Sequence, residues 1–533
     1  MNQSLKTALA ALAIFLAPLL ALGCAGGSAR VPTYAVETLQ KSGDPANRIN
    51  LVVLGDGYTQ TDQAKLTQDA QAWLTAFLGT PPYQNYAGYF NVKLVHVVSN
   101  EDGADNGMHG FGVLRDTALG AAYQNANPPG LPPDYRLLVV NNATAQAVAM
   151  SHAPECTKAI VIVNDSKYGG SGGALPVFSA NPSSCLIALH EFGHSFGGLA
   201  DEYACGDTSA LPTSLEAFPN VTTQQSPDLI KWNRWIQVGT PLPTPDVGTD
   251  EAYLGLFEGA FFHDRGVYRP RHACRMRSLN DAFCEVCTEA IVRGVYSQVS
   301  PIDSASPSSP VMLAAGAALT CSIAHPVPNP NTLQMTWTVD GVVVAGDGDS
   351  FTLPGGGLDP GVHEISAQLI DATPLVRLGR ESLAGVQTWT VTVGGTATPA
   401  IQPAPKRDQH LLLRVTRDAA GFHVEDRQII DLPLPLAPSQ GSTTWQIEAQ
   451  DPDGQVLFGQ DVEDPTLLRG EFQNAANPGQ IEGYRMNGGR PASFLLRMPV
   501  MNAHRLEIFA GPGGQDGLRT RLGGVALSSG STP

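Results

Sequence analysis

Short apolar runs punctuate the first part of the chain. Ile49-Asn50-Leu51-Val52-Val53-Leu54, Asn91–Val98, Arg136–Val140 and Ala159–Val163 each have strand length and are rich in β-branched residues. Between the first two lies a helical stretch that Thr61 or Asp62 can cap and that reaches about Leu78. Strands alternating with helices predict an α/β layer within residues 49–300. A different run, Ser183 to Leu189, has the length of a buried helix lead-in. Asn181-Pro182 before it supplies a cap residue and a first-turn proline, and Gly197-Gly198 after it can end the helix. A further helix is expected over Cys287–Tyr296.

The pattern changes after residue 300. Ser304–Pro310 (S-A-S-P-S-S-P) reads as a linker. Beyond it, Thr332–Val339, Phe351–Leu353, His363–Leu369 and Thr388–Val393 recur at sandwich spacing, with Asp340-Gly341 as a hairpin turn. They predict an immunoglobulin-like β-sandwich over 311–395. Thr396–Lys406 is a second linker. His410–Arg417, Thr443–Glu448, Ala492–Met498 and Leu506–Ala510 predict a C-terminal β-domain over 407–533. The expected fold class is therefore an α/β domain followed by two β-sandwich domains.

Composition fits that division, since 533 residues are too many for one core and suit about three domains. The net charge of −17 argues against nucleic acid or an anionic membrane surface as partner. Lys6 followed by the apolar stretch Thr7–Leu22 reads as an export signal over 1–24. Ala21-Leu22-Gly23-Cys24 resembles a lipobox, which makes Cys24 the lipidation candidate. A plain secretory peptide is the alternative. Residues 25–48 form a short tether. The expected location is extracytoplasmic, as an outer-membrane or cell-surface lipoprotein or as a secreted protein. No other apolar run is long enough for a transmembrane helix. Of eight cysteines, Cys205, Cys274, Cys284 and Cys287 flank one region. Export favours disulfides among them, and an all-cysteine structural zinc site is the alternative, because Cys284-x-x-Cys287 has metal-ligand spacing.

The chemistry concentrates in Leu189-His190-Glu191-Phe192-Gly193-His194. In a helix, residues four apart share a face, so His190 and His194 can direct two imidazoles at one ion. Glu191 flanks that face, where it can act as general base on a water held by zinc. A catalytic zinc needs a third protein ligand. Ala200 occupies the spacing at which metzincins place one, and it cannot ligate. Gly198-Leu199-Ala200-Asp201 restores G-x-x-D one residue later, so Asp201 is the expected third ligand, with Glu202 as the alternative. Met276 is a candidate for the methionine turn below such a metal. Tyr268 is a candidate oxyanion donor. The segment after the Ala159–Val163 strand, Asn164–Gly173, is a candidate rim along which an extended substrate backbone could pair, its glycine-rich run letting that backbone approach closely.

Several stretches together resemble one family, the IgA-peptidase family of bacterial zinc metallopeptidases. They are L-G-D-G-Y-T (Leu54–Thr59), V-V-S-N-E-D-G-A-D (Val97–Asp105), V-N-D-S-K-Y-G-G-S-G (Val163–Gly172), A-L-H-E-F-G-H-S-F-G-G-L-A-D-E-Y (Ala188–Tyr203), L-F-E-G-A (Leu256–Ala260) and Y-R-P…C-R-M-R-S…F-C-E-V-C (Tyr268–Cys287). They span about half of the chain, residues 35–300. The resemblance implies a metzincin-like zinc endopeptidase with an α+β, zincin-like catalytic domain. It does not imply immunoglobulin as substrate, because substrate pockets lie in variable loops. The expected cofactor is Zn2+ and the expected partner a protein or peptide substrate. The competing expectation is a non-catalytic surface adhesion lipoprotein whose metal site is structural.

Overall fold

The computed structural model describes residues 31–533 apart from 109–110, 124–135, 212, 247–252, 347, 395–408, 436–443, 474–480, 487–491, 511–519 and 528–533. The expected export signal, Cys24 and the whole of the second predicted linker lie outside the described residues.

A sheet of eight strands organises the first half. Its strands are β1 (Val36–Gln40), β2 (Ile49–Asp56), β3 (Phe90–Val95), β4 (Lys158–Val163), β5 (Gly170–Gly173), β6 (Val177–Ser179), β7 (Leu468–Gln473) and β8 (Ile481–Met486), in spatial order β1-β3-β2-β4-β6-β5-β7-β8. The central pairs β3/β2, β2/β4 and β4/β6 are parallel, with Leu51 opposite Val92 and Leu54 opposite Val161. Every residue of β2 is buried, which is why its sequence is almost continuously apolar rather than alternating.

Helix α1 (Gln63–Leu78) buries Leu66, Ala70, Trp73, Leu74 and Phe77, a stripe at helical spacing. These side chains share a core with Ile49, Leu51 and Val53 of β2. Leu189, Phe192 and Phe196 of α3 (Cys185–Gly197) join the same core. Helix α2 (Asn142–His152) is capped by the Asn141 side chain. Helix α4 (Glu285–Tyr296) packs against α3 so closely that a Cβ at Gly294 would lie 1.7 Å from the Phe196 carbonyl oxygen.

The later segments form β-sandwich-like pairs of sheets. One pair spans 304–393, around Trp337 and Trp389, whose rings stack with centroids 5.6 Å apart. Ser304–Ser306, expected to be linker, is instead a strand paired with 322–324. Its polar side chains are mostly exposed, so its composition mimics a linker. The other pair uses strands between His410 and Ala526, around Trp445, Phe422 and Phe494. The hairpin β7–β8 leaves this second pair and joins the large sheet. Met150 of α2 also packs with Leu412 and Ile430. Residues Thr33–Pro533 accordingly make up one compact unit. Among the described residues, no helix is long and apolar enough to cross a membrane.

Candidate functional site

Helix α3 ends just after the histidine motif. Gly198 takes φ 59°, a left-handed conformation that costs glycine little, and its N–H donates to the His194 carbonyl at 3.0 Å. The Leu199 N–H donates to the Gly193 carbonyl at 3.3 Å, completing the reversal. The chain then returns alongside the helix. Asn220 fixes the returning segment by accepting from the Ala200 N–H and donating to the Ala200 carbonyl, both at 2.8 Å.

This reversal brings Asp201 to the two imidazoles. Asp201 Oδ1 lies 3.2 Å from Nε2 of both His190 and His194, and the two Nε2 atoms are 3.1 Å apart. All three residues are buried. The other ring nitrogen of each histidine faces a carbonyl, His190 Nδ1 to Arg275 at 2.9 Å and His194 Nδ1 to Leu199 at 2.7 Å. A carbonyl only accepts, so each Nδ1 carries a proton, and when the ring is neutral that leaves the lone pair on Nε2. Three electron-pair donors then converge in a buried space. A shared cation relieves that repulsion, and a tetrahedral zinc with nitrogen ligands sets donors about 3.3 Å apart. The residues fit the group that the motif implies, with Asp201 rather than Glu202 as the acid that reaches it.

Glu191 is buried beneath β5. A Cβ added to Gly172 would fall 1.8 Å from the Glu191 carboxyl carbon, so only glycine lets the strand pass this close. On the far side, Arg469 Nη1 of β7 lies 3.5 Å from Glu191 Oε2 and 3.1 Å from Glu463 Oε1, and Glu463 also faces Lys158 at 3.6 Å. Burial would raise the Glu463 carboxyl, but Lys158 and Arg469 outweigh it and hold it below the ordinary range. Beside this network, His194, Leu199, Phe218, Glu463 and Arg469 help line a cavity of about 240 Å³.

The glycine-rich rim is therefore not a free edge. Leu468 pairs with Gly173 and Arg469 with Gly172, so a strand from the C-terminal region sits beside β5. Neither Arg469 nor Glu463 is recognisable as part of this site from sequence, because no local pattern links β7 to a strand almost three hundred residues earlier.

The other sequence candidates separate. Met276 is fully buried, and its sulfur lies 2.6 Å from where a Cβ on Gly193 would stand, beneath the motif helix. Tyr268 packs in the α1–α3 core, its backbone pairs with Thr222, and no hydrogen bond joins its phenol to the His190–His194–Asp201 group among the described residues. Burial raises its phenol, which keeps it protonated. Glu202 turns away from the imidazoles. Its Oε1 accepts from Asn220 Nδ2 at 2.9 Å and from the Cys287 thiol at 3.1 Å, and burial pushes its carboxyl well above the usual range. The expected disulfides do not form: all seven described cysteines are unbridged, with Cys205 exposed and Cys274, Cys284 and Cys287 buried together beside Glu202.

The IgA Peptidase M64 family matches residues 37–252 and 247–295. No curated protein matches the chain. Among solved structures, the fibronectin(III)-like modules of Clostridium thermocellum CbhA match at 18% identity, covering 17% of this chain and 89% of theirs with a TM-score of 0.12. The Bacteroides ovatus mixed-linkage glucan utilization locus protein SGBP-B, solved with a mixed-linkage heptasaccharide, matches at 14% identity, covering 42% of this chain and 70% of its own with a TM-score of 0.13.

Proposed function

We propose a function from one premise: residues 37–295 of this chain belong to the IgA Peptidase M64 family. The protein is an exported zinc-dependent endopeptidase that hydrolyses internal peptide bonds of protein substrates. The observation that carries this reading is the convergence of His190 Nε2, His194 Nε2 and Asp201 Oδ1 within 3.2 Å, with both Nδ1 protons committed to carbonyls.

His190, His194 and Asp201 would hold the ion. A zinc ion in such a setting supplies Lewis acidity, activating water and polarising a scissile carbonyl. Glu191, next to His190 on α3, takes the proton from the attacking water and delivers it to the departing amine. The carbonyls of Arg275 and Leu199 keep the two imidazoles in one tautomer and one orientation. The zincin-like character of the α/β region, with β5 as the strand nearest the base, belongs to the same reading. With β7 alongside β5, an extended substrate gains that edge only when the β7–β8 hairpin moves. Export rests on the apolar N-terminal stretch, with Cys24 as lipid anchor or with a plain secretory cleavage. The mass of the mature N-terminal peptide separates those two.

A second reading, a non-catalytic surface-binding lipoprotein with a structural metal, draws support from the contact of Arg469 with Glu191. Incubation of the purified full chain with a peptide library, with and without chelator, decides between them. Chelator-sensitive internal cleavage that Glu191→Gln abolishes supports the peptidase. Metal retention without any cleavage, including after hairpin release, supports the second reading.

A further inference from the structure

A second set of donors lies on the other side of the loop that carries Met276. Cys274, Cys284, Cys287 and Glu202 bring three thiols and a carboxylate oxygen to within 4.8 Å of one another. None of the four exceeds 1% exposure. Cys284 is the cap residue of α4 and Cys287 sits in its first turn, where the helix dipole favours negative sulfur. The Cys284 N–H also donates to Cys274 Sγ at 3.4 Å.

Disulfide chemistry does not account for this arrangement. Three thiols cannot all pair, and Cys205, the fourth cysteine of the region, is exposed and outside the cluster. Cys274 Sγ and Cys287 Sγ are 3.6 Å apart, well beyond the roughly 2.05 Å of a disulfide. The separation matches a tetrahedral edge, since zinc–sulfur bonds of about 2.3 Å place neighbouring sulfurs about 3.8 Å apart. Glu202 Oε2 is buried with no hydrogen-bond partner. A buried carboxylate oxygen with nothing to accept from is costly unless a cation faces it.

We propose that Cys274, Cys284, Cys287 and Glu202 bind a second zinc ion, in a closed structural site separate from the His190–His194–Asp201 group. Thiolate-rich, four-donor, buried sites select zinc and leave no position for substrate. The ion would brace the first group. Glu202 adjoins Asp201 in sequence, the Glu202 N–H donates to the Met276 carbonyl at 2.7 Å, and Cys274 precedes Arg275, whose carbonyl orients His190. One ion thus ties the returning loop, the methionine loop and the start of α4 together.

The test is metal content by plasma mass spectrometry on the purified full chain, with thiol state read alongside. Wild type is expected to hold two zinc equivalents. The variant H190A/H194A is expected to keep one, and cobalt exchanged into it should give a sulfur-to-metal charge-transfer band. Differential alkylation of native wild type should leave Cys274, Cys284 and Cys287 unmodified until chelator and denaturant are added. C284S/C287S should lose one equivalent. If that variant does not fold, the cobalt result still decides. A folded H190A/H194A without zinc, a cobalt spectrum lacking the sulfur band, or a disulfide among the three cysteines would overturn the proposal. Because H190A/H194A removes only the first group, failure of the second site and failure of the peptidase reading are told apart.

Discussion

Arg469 stands over Glu191, its Nη1 3.5 Å from Oε2, so a residue of the C-terminal region closes on the proposed base. A guanidinium held against that carboxylate competes with an attacking water for it. Releasing a contact of about 1.4 kcal/mol corresponds to a tenfold change in rate. Arg469→Ala is therefore expected to raise chelator-sensitive cleavage about tenfold. A folded variant with unchanged or lower cleavage would show that the contact does not restrain the site.

Glu191→Gln keeps the shape of the side chain and removes its basicity. Cleavage should fall by at least about 100-fold, the usual scale of a lost general base. Zinc content should stay at the wild-type level, because the donors of the first group are untouched. Parallel metal analysis and peptide-library turnover check both halves.

Asp201→Ala removes one of three convergent donors. Zinc affinity at that group is expected to drop by more than about 100-fold, beyond the effect of losing an outer partner. Wild type stripped with chelator should lose cleavage and regain it on adding zinc, whereas Asp201→Ala should not recover at the same free zinc. Competition titration against a chromophoric chelator gives the affinity.

Gly172→Ala places a methyl where the Glu191 carboxyl lies, 1.8 Å away before relaxation. Either β5 or Glu191 must shift, at a cost of about 1–3 kcal/mol. The expected result is a lower melting temperature together with loss of most cleavage. An active variant with unchanged stability would mean that Glu191 adopts another position in solution.

Asp303 links the first sandwich to the strand region through a bidentate pair with Arg48, at 2.6 and 2.9 Å. Burial alone would raise the Asp303 carboxyl, but hydrogen bonds from Arg48 and Asn47 bring it below the usual value. A folded-state pKa below the unfolded one stabilises the protein above about pH 4 and loses that contribution as pH falls through the depressed value. Asp303→Asn should lower stability at neutral pH by no more than about 1 kcal/mol, because Asp303 is exposed and solvent screens the pair, with the gap to wild type narrowing in acid. Denaturation curves at two pH values test it.

Much of this architecture follows from local pattern. The apolar runs at 49–54 and 159–163 are the central strands, and the motif with its Gly198 stop gives the helix and the turn that delivers Asp201. Part of what escaped has its physical origin in distance along the chain. The neighbour of β5 is chosen by a hairpin hundreds of residues later, and pairing across that separation leaves no periodic trace. Glu202 reads as a rival to Asp201 because adjacent acids look alike in sequence. Only the backbone direction after Ala200 sends one to the imidazoles and the other to the thiols. Tyr268 carries suitable chemistry, and its ring packs in the core that α3 also joins.

The hairpin that completes the large sheet also decides where the chain can be cut. A fragment ending near residue 295 would carry every donor to the first group and still present β5 with one side unpaired. Its bare backbone N–H and C=O groups would invite other copies to add strands, so such a fragment should self-associate. The segment that can be recognised by family and the segment that can be handled in a tube are thus different lengths of the same polypeptide.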